Sequence, residues 1–398
     1  MIFRNSKIFR NFLLLSFLFF NSFGVSTSTR EDTSQEIYKN KTTEEPVIKK
    51  YPSSLTENVS KKLDSLFQRI HKRHDFHGSV LVAKNGKLVF ENEYGTADFN
   101  KKTKLNENSV FQLASVSKQF TAAAILILYE RGLLGIEDNV NKYFPDFPYE
   151  DITIRQLLNH TSGLPKYFWL AEHKWDKEKA PVNSEMIDMV SEHNLPLFFK
   201  SGSRFDYSNT GYFVLASIVE KVSGMEFGEF LSANIFKPLH MKNSFVYRSE
   251  KDSKDENQLK GYRLYRGWRH LEISETVNDA VVGDKNVYST TEDLFRWINA
   301  LNSGKVISEN TLNQMFAKGE TKYGRKVPYG FGFRINDKGD EKVIYHNGKW
   351  NGFSTSIWQY PKSDLVVITL EHTSYNSINY LNKKVREIVN NNFEAPAI

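Results

Sequence analysis

Strand signals sit at the two ends of this 398-residue chain and helical sequence fills the middle, and that arrangement limits the folds open to it. Near the start, Gly78–Ala83 (GSVLVA) is separated from Leu88–Tyr94 by Asn85-Gly86, the strongest short-range hairpin signal. In the last hundred residues four β-branched or aromatic stretches follow one another: Tyr329–Ile335, Lys342–His346, Ser354–Tyr360 and Leu365–Leu370. Turn residues at Asp337–Asp340 and Pro361–Asp364 separate two of the pairs. A helix is expected from Leu55, with Val59, Leu63, Leu66, Phe67 and Ile70 on one face, and another closes the chain at about 376–391. The order predicts an α+β fold, with one antiparallel sheet built from both ends of the chain. N- and C-terminal helices flank the sheet, and the helical region lies beside it as an insert.

The middle supports this reading. Thr153-Ile154-Arg155-Gln156 has the spacing of a capping box, and the helix it opens runs into LLNHTSGLP (157–165) and stops at the Gly/Pro turn. Tyr212–Val222 reads as an apolar helix ending at Gly224, and Thr290 caps a helix over Leu294–Leu301. Arg248–Lys260 reads as a charged, exposed loop. Tyr167, Phe168, Trp169 and Trp175 fall in loop-like sequence, where such a cluster more often packs than walls a cleft.

Residues 1–28 look like a secretory signal. Arg4, Lys7 and Arg10 precede an apolar run, Phe12–Phe20, broken only by Ser16, and small residues follow at Gly24, Ser26 and Ser28. Residues 29–54 are polar, without periodicity, and read as a flexible leader. The expected layout is a domain over 55–390. Its sheet layer comes from about 55–110 and 290–390, and its helical region from about 111–289. The formal charge of +6 includes the three N-terminal cations, and no dense basic stripe remains elsewhere, so no nucleic-acid partner is expected. The absence of cysteine excludes disulfides, thiolate metal sites and cysteine nucleophiles. A membrane enters only if the N-terminal segment is uncleaved.

The chemistry centres on Phe111–Gly132 (FQLASVSKQFTAAAILILYERG), which holds Ser115 and Lys118, the only Ser-x-x-K in the sequence. A helix starting near Val116 places Ser115 at its N-terminus and Lys118 one turn on, on the same face. A serine hydroxyl is a weak nucleophile until its proton is taken. An ammonium buried beside a helix N-terminus loses proton affinity and can serve as base. Two further elements strengthen this pair. In Tyr207-Ser208-Asn209, a tyrosine hydroxyl can shuttle a proton if nearby ammonium groups favour its ionised form, and Asn209 can hold a substrate amide. In His346-Asn347-Gly348, at the end of a predicted strand, the glycine permits close approach of a ligand to the strand edge. The backbone N–H of Lys349, with that of Ser115, would form an oxyanion hole. His346 would bind a carboxylate or polarise Tyr207. His71, His74 and His77, three residues apart, are expected to flank a turn rather than bind metal, and no cofactor is expected.

In this order the three elements resemble the serine β-lactamase and penicillin-binding superfamily, in its class C-like branch. That branch holds class C β-lactamases, DD-peptidases with a His-x-Gly motif, D-aminopeptidases and β-lactamase-like esterases. LLNHTSGLP, the block from Ser201 to Gly224, and GDKNVYSTTEDLFRW (283–297) carry the resemblance further, over about residues 55–390. It implies a sheet-plus-helices fold with the site between the two parts. Ser115 would be the acylated nucleophile, Lys118 the base or its electrostatic support, and Tyr207 the activator of Ser115 or of water, with the two bases not separated. Asn209, His346 and Gly348 would bind substrate. His346 stands where many members have lysine, which removes a fixed positive charge and favours a peptidase or esterase over a dedicated β-lactamase. Asn286 stands where glycine is expected, although asparagine tolerates positive φ. The implied function is a secreted acyl-enzyme hydrolase of an amide, ester or β-lactam, with a D-amino-acid peptide or small ester preferred. Peptidoglycan fragments or β-lactams are the implied partners. A non-catalytic penicillin- or peptidoglycan-sensing protein is the reading from another class.

Overall fold

A computed structural model of the chain describes residues 47–248 and 256–393. The signal segment and most of the leader lie outside these residues, as does the centre of the loop read over Arg248–Lys260. The first described elements are helix α1 (Ser53–His74) and strands β1 (Gly78–Lys84), β2 (Lys87–Tyr94), β3 (Thr96–Asp98), β4 (Thr103–Lys104) and β5 (Phe111–Gln112). A 3-10 turn over Ala114–Ser117 leads into α2 (Lys118–Glu130). Helices α3 (Ile154–Leu158), α4 (Tyr167–His173), α5 (Asn183–His193), α6 (Asn209–Ser223) and α7 (Phe227–Leu231) follow. Short strands β6 (Phe245–Val246), β7 (Tyr262–Tyr265), β8 (Arg269–Glu272) and β9 (Val287–Ser289) precede α8 (Thr291–Asn302) and α9 (Glu309–Met315). The chain ends with β10 (Arg334–Asn336), β11 (Val343–Trp350), β12 (Phe353–Tyr360), β13 (Leu365–Glu371) and α10 (Ile378–Asn392).

Six strands form one antiparallel sheet in the order β10-β11-β12-β13-β1-β2. The join between the chain's ends is β1 on β13, running from Gly78 opposite Glu371 to Lys84 opposite Leu365. Side-chain alternation sends the two faces into separate cores. Val80, Val82 and Val367 meet Phe67 of α1 and Val385 of α10 on one face. Leu81, Ala83, Ile368 and Leu370 face the helical region on the other. Every residue of α2 from Lys118 to Leu128 is buried, so this helix is the axis of the second core.

Several expectations shift. The end of the leader is tied down: Lys49 O and the Tyr51 N–H bond the backbone of Leu88, and α1 starts at Ser53. The strand read over Tyr329–Ile335 shrinks to β10, with positive φ at Gly332. The helical region also holds strands, including a three-stranded sheet β5-β9-β6. Asn257 and Leu259 pair with Val110 rather than standing in a free loop. The aromatics at 167–169 lie in the short helix α4. Asp75, at φ 55, ends α1 and is bonded by His77 Nε2 at 3.0 Å and His270 Nε2 at 2.7 Å. Burial works to raise the Asp75 carboxyl, but these two bonds hold it below the usual range. The Thr96 N–H donates to His77 Nδ1 at 2.9 Å, which leaves the ring proton on Nε2, facing Asp75. Asp75, His77 and His270 thus form one hydrogen-bonded group whose ligand atoms lie within 4.8 Å of one another.

Candidate active site

Ser115 lies in a turn tighter than the expected helix start. Ala114 takes a left-handed φ of 48°, and Val116 N–H bonds Leu113 O. The 3-10 turn has three residues per turn, so Ser115 and Lys118 are eclipsed rather than offset. Lys118 Nζ reaches Ser115 Oγ at 3.1 Å. Ser115 is partly exposed, while its neighbours from Phe111 to Ala114 and from Val116 to Phe120 are buried.

Lys118 is fully buried and makes two further bonds, to Asn209 Oδ1 at 2.8 Å and to the main-chain carbonyl of Asp284 at 2.7 Å. Burial brings its pKa down to about 7, Asp284 opposes the fall and Arg334 adds to it. Tyr207 does not meet the condition that nearby cations favour its ionised form. Burial pushes it well above its ordinary value, and Ser115 and Arg334 only partly offset the rise. Its ring lies 5.0 Å from Lys118 Nζ, and its buried hydroxyl has no hydrogen bond of good geometry among the described residues. Burial therefore favours the protonated phenol at Tyr207 and the neutral amine at Lys118.

Asn209 is the first residue of α6, whose cap is the Ser208 side chain accepting the Gly211 N–H at 3.3 Å. Its carbonyl is taken by Lys118, which leaves its NH2 for a ligand. The stretch LLNHTSGLP is the bed of this segment. His160 Nδ1 accepts the Ser208 N–H at 3.1 Å, and His160 O accepts the Asp206 N–H at 2.9 Å. Thr210 Oγ1 bonds Pro165 O at 2.6 Å, and the Tyr212 hydroxyl bonds Leu158 O at 2.7 Å. In the other recognised block, Asn286 adopts φ 78°, as its tolerance for positive φ allows.

The third element is corrected in three respects. The strand does not end at His346 but runs through to Trp350 and turns at Asn351-Gly352. Gly348 makes room for the protein's own backbone rather than for a ligand. A Cβ there would lie 2.2 Å from Leu113 O, 2.4 Å from Thr355 Oγ1 and 3.0 Å from Ala114 Cβ. The strand thus presses against the two residues that precede Ser115, and Lys349 follows that contact. His346 is buried and neutral. Its Nδ1 faces Asn347 O at 2.7 Å and so carries the proton, and its Nε2 faces the Tyr329 hydroxyl at 2.9 Å. Burial, with Lys118 and Arg334 nearby, holds its pKa well below the ordinary value. It has neither charge nor a free donor for a carboxylate, and its ring is 6.1 Å from that of Tyr207.

The fixed positive charge comes instead from Arg334, which sequence reasoning missed. It stands on β10 opposite Tyr345, one residue from His346. Its guanidinium lies 4.9 Å from the Tyr207 ring and 5.9 Å from the Tyr329 ring, with no ion pair among the described residues. β10 pairs only with residues 343–345 of β11, so among the described residues no strand pairs with His346–Trp350 on that side. A cavity of about 250 Å³ adjoins Tyr207 and Asn209. Tyr167, Phe168, Phe198 and Phe199 line it, and Trp169 does not: that ring is 42% exposed and stacks on His173.

Known proteins share this architecture. A family model described as beta-lactamase matches residues 63–389. Penicillin-binding protein 4* of Bacillus subtilis (strain 168) is 37% identical over 316 residues, covering 77% of this chain and 70% of that protein. The octameric penicillin-binding protein homologue from Pyrococcus abyssi matches with a TM-score of 0.73 at 25% identity, over 84% of this chain and 78% of its own. A D-amino acid amidase from Ochrobactrum anthropi SV3 has the same fold, with a TM-score of 0.69 at 21% identity, over 85% of this chain and 99% of its own. A family match across the sheet, the helical region and Ser115, with a relative at this identity, establishes that the chain belongs to the β-lactamase/transpeptidase-like family of serine hydrolases.

Proposed function

We propose that this protein is an exported hydrolase that forms an acyl-enzyme on Ser115 and acts on peptide-like amides or small esters that carry a free carboxylate, a D-amino-acid peptide foremost. The observation that carries the proposal is the buried Lys118 amine, 3.1 Å from Ser115 Oγ and titrating at about 7. As the substrate carbonyl is attacked, the Ser115 proton passes to neutral Lys118. The oxyanion is held by the backbone N–H groups of Ser115 and Lys349. Tyr207 gives its proton to the leaving nitrogen or oxygen as the scissile bond breaks, and is reprotonated from Lys118. Water then attacks the acyl carbon by the same route in reverse, which restores Ser115. Asn209 donates its NH2 to the acyl carbonyl side, and the open edge of β11 offers backbone groups to an extended substrate. The Arg334 guanidinium supports a carboxylate-bearing leaving group, and the aromatic cavity supports an apolar acyl side chain. Export is supported by the character of residues 1–28. Among the described residues no helix is long and apolar enough to cross a membrane.

The name of the Bacillus relative makes a penicillin the natural probe. Intact-mass spectrometry would follow the protein mixed with a penicillin, beside Ser115→Ala. A persistent adduct of one penicillin mass, absent in the variant, is expected. A fleeting adduct with loss of penicillin would make the protein a β-lactamase. No adduct, together with no hydrolysis of a small aryl ester, would overturn the hydrolase reading and leave a non-catalytic binder.

A further inference from the structure

A second lysine, to which the mechanism gives no role, is buried behind the site. Lys285 Nζ bonds the Tyr167 hydroxyl at 2.6 Å, Val281 O at 3.3 Å and Asp284 Oδ1 at 3.4 Å. The Tyr167 hydroxyl donates in turn to Asp284 Oδ2 at 3.1 Å. Lysine, tyrosine and aspartate thus close a three-membered network, and each is buried. The rings of Tyr167, Phe168 and Trp350 lie 5.1–5.4 Å from the Lys285 ammonium and keep water from it. The same Asp284 whose carboxylate is paired here offers its main-chain carbonyl to Lys118 at 2.7 Å.

We propose that Lys285 is a positioning residue for the reaction. It is the counter-ion that neutralises Asp284, so that this carboxylate orients Lys118 through its backbone without holding a proton on the Lys118 amine. The physical argument is one of balance. An unpaired carboxylate in a dry interior is costly and favours a cation beside it. Among the described residues Asp284 is the acidic group that acts on Lys118 to keep it charged. The other groups around the amine are Ser115, Asn209, and the rings of Tyr207 and Tyr212 at 5.0 and 5.5 Å. Arg334 is the cation that acts on it directly, and the nearby His160 and His346 are neutral. Lys285 and Lys118 in turn repel one another. Removing Lys285 frees the Asp284 charge and removes a repulsion, and both changes favour protonated Lys118. Removing Asp284 does the opposite.

The inference rests on Lys118 being the base of the proposed hydrolase, but the test does not depend on turnover. The full chain, labelled with 13C at lysine Cε, would be titrated by NMR, with the Lys118 signal assigned by Lys118→Arg. The Lys118 midpoint is expected to rise by about one pH unit in Lys285→Met and to fall in Asp284→Asn. In the double variant Asp284→Asn/Lys285→Met it is expected to return to within about 0.3 of the wild type, an additive cancellation. An unmoved midpoint in folded Lys285→Met, or a double variant displaced as far as Lys285→Met, overturns the proposal. Should Lys285→Met not fold, an Asp284→Asn midpoint that fails to fall does the same. Failure of wild type both to acylate with penicillin and to hydrolyse a small aryl ester would remove the hydrolase reading and leave this result standing.

Discussion

Gly348→Ala puts the geometry of the nucleophile to a direct test. The new methyl would meet Leu113 O at 2.2 Å and Thr355 Oγ1 at 2.4 Å, where ordinary contact starts at 3.4 Å. The excess overlap is about 1 Å, and one of the atoms in the way is main chain. Thr355 Oγ1 itself bonds Leu113 O at 2.6 Å, so a rotation of the threonine breaks a buried bond without clearing the carbonyl. Relief comes from moving the Leu113–Ala114 segment, and Ser115 moves with it. A displacement of 1 Å in a reacting group costs about 100-fold in rate, whereas overpacking of this kind costs about 1–3 kcal/mol of stability. The expectation is therefore a folded protein whose penicillin acylation rate has dropped about 100-fold. Time-resolved intact mass gives the rate, and circular dichroism with thermal melting shows that the fold remains. Acylation within about threefold of the wild type in a folded Gly348→Ala protein would refute the idea that β11 positions Ser115.

Other expectations follow from the same geometry. The acylation rate should rise with pH through about 7, because Lys118 accepts a proton only when neutral, and Lys118→Met should lower the plateau by about 10²–10⁴-fold; a rate flat between pH 5.5 and 8.5 would contradict this. Arg334→Met should raise KM about 10-fold or more for carboxylate-bearing substrates and leave the KM of an uncharged aryl ester unchanged, and equal KM effects on both would remove Arg334 from recognition. Glu371 is fully buried on β13, and burial raises its pKa to about 8, with bonds from Thr373 and Tyr375 opposing. Its stabilising protonated form is complete below the unfolded value and is lost as pH rises to about 8, so wild-type stability should fall over that window and Glu371→Gln should flatten the fall in denaturant titrations. Phe67→Ala, in the core under α1 and α10, should cost about 3–5 kcal/mol by the same titrations.

What the sequence discloses depends on how local each cause is. Ser115 and Lys118 are three residues apart, and one turn of any helix brings them together. The hairpin at Asn85-Gly86 and the capping box at Thr153 are equally local, and both stand in the structure. His346 was misread because its partners come from elsewhere: Tyr329 lies across a turn, and Arg334 arrives by the register of β10 on β11. Two Asn-Gly pairs stand four residues apart here, Asn347-Gly348 inside β11 and Asn351-Gly352 just after it. Only the second turns, because the first glycine is pinned against Leu113. The ionisation of Tyr207 depends on burial, which no spacing records. Lys285 follows Asp284 directly, yet its place behind Tyr167 is fixed by contacts between segments more than a hundred residues apart.

The pairing of β1 with β13 bears on how the molecule is made. The two strands meet across almost 300 residues of intervening chain, and β12 has no path to β1 without β13 between them. Closing so large a loop makes folding slow and leaves the sheet open until the C-terminal strands have emerged. Gly348, which braces Ser115, belongs to that late-arriving part. A nascent chain therefore carries Ser115 long before β11 is there to press on the residues that precede it, and that arrangement waits until residues 343–371 have been made.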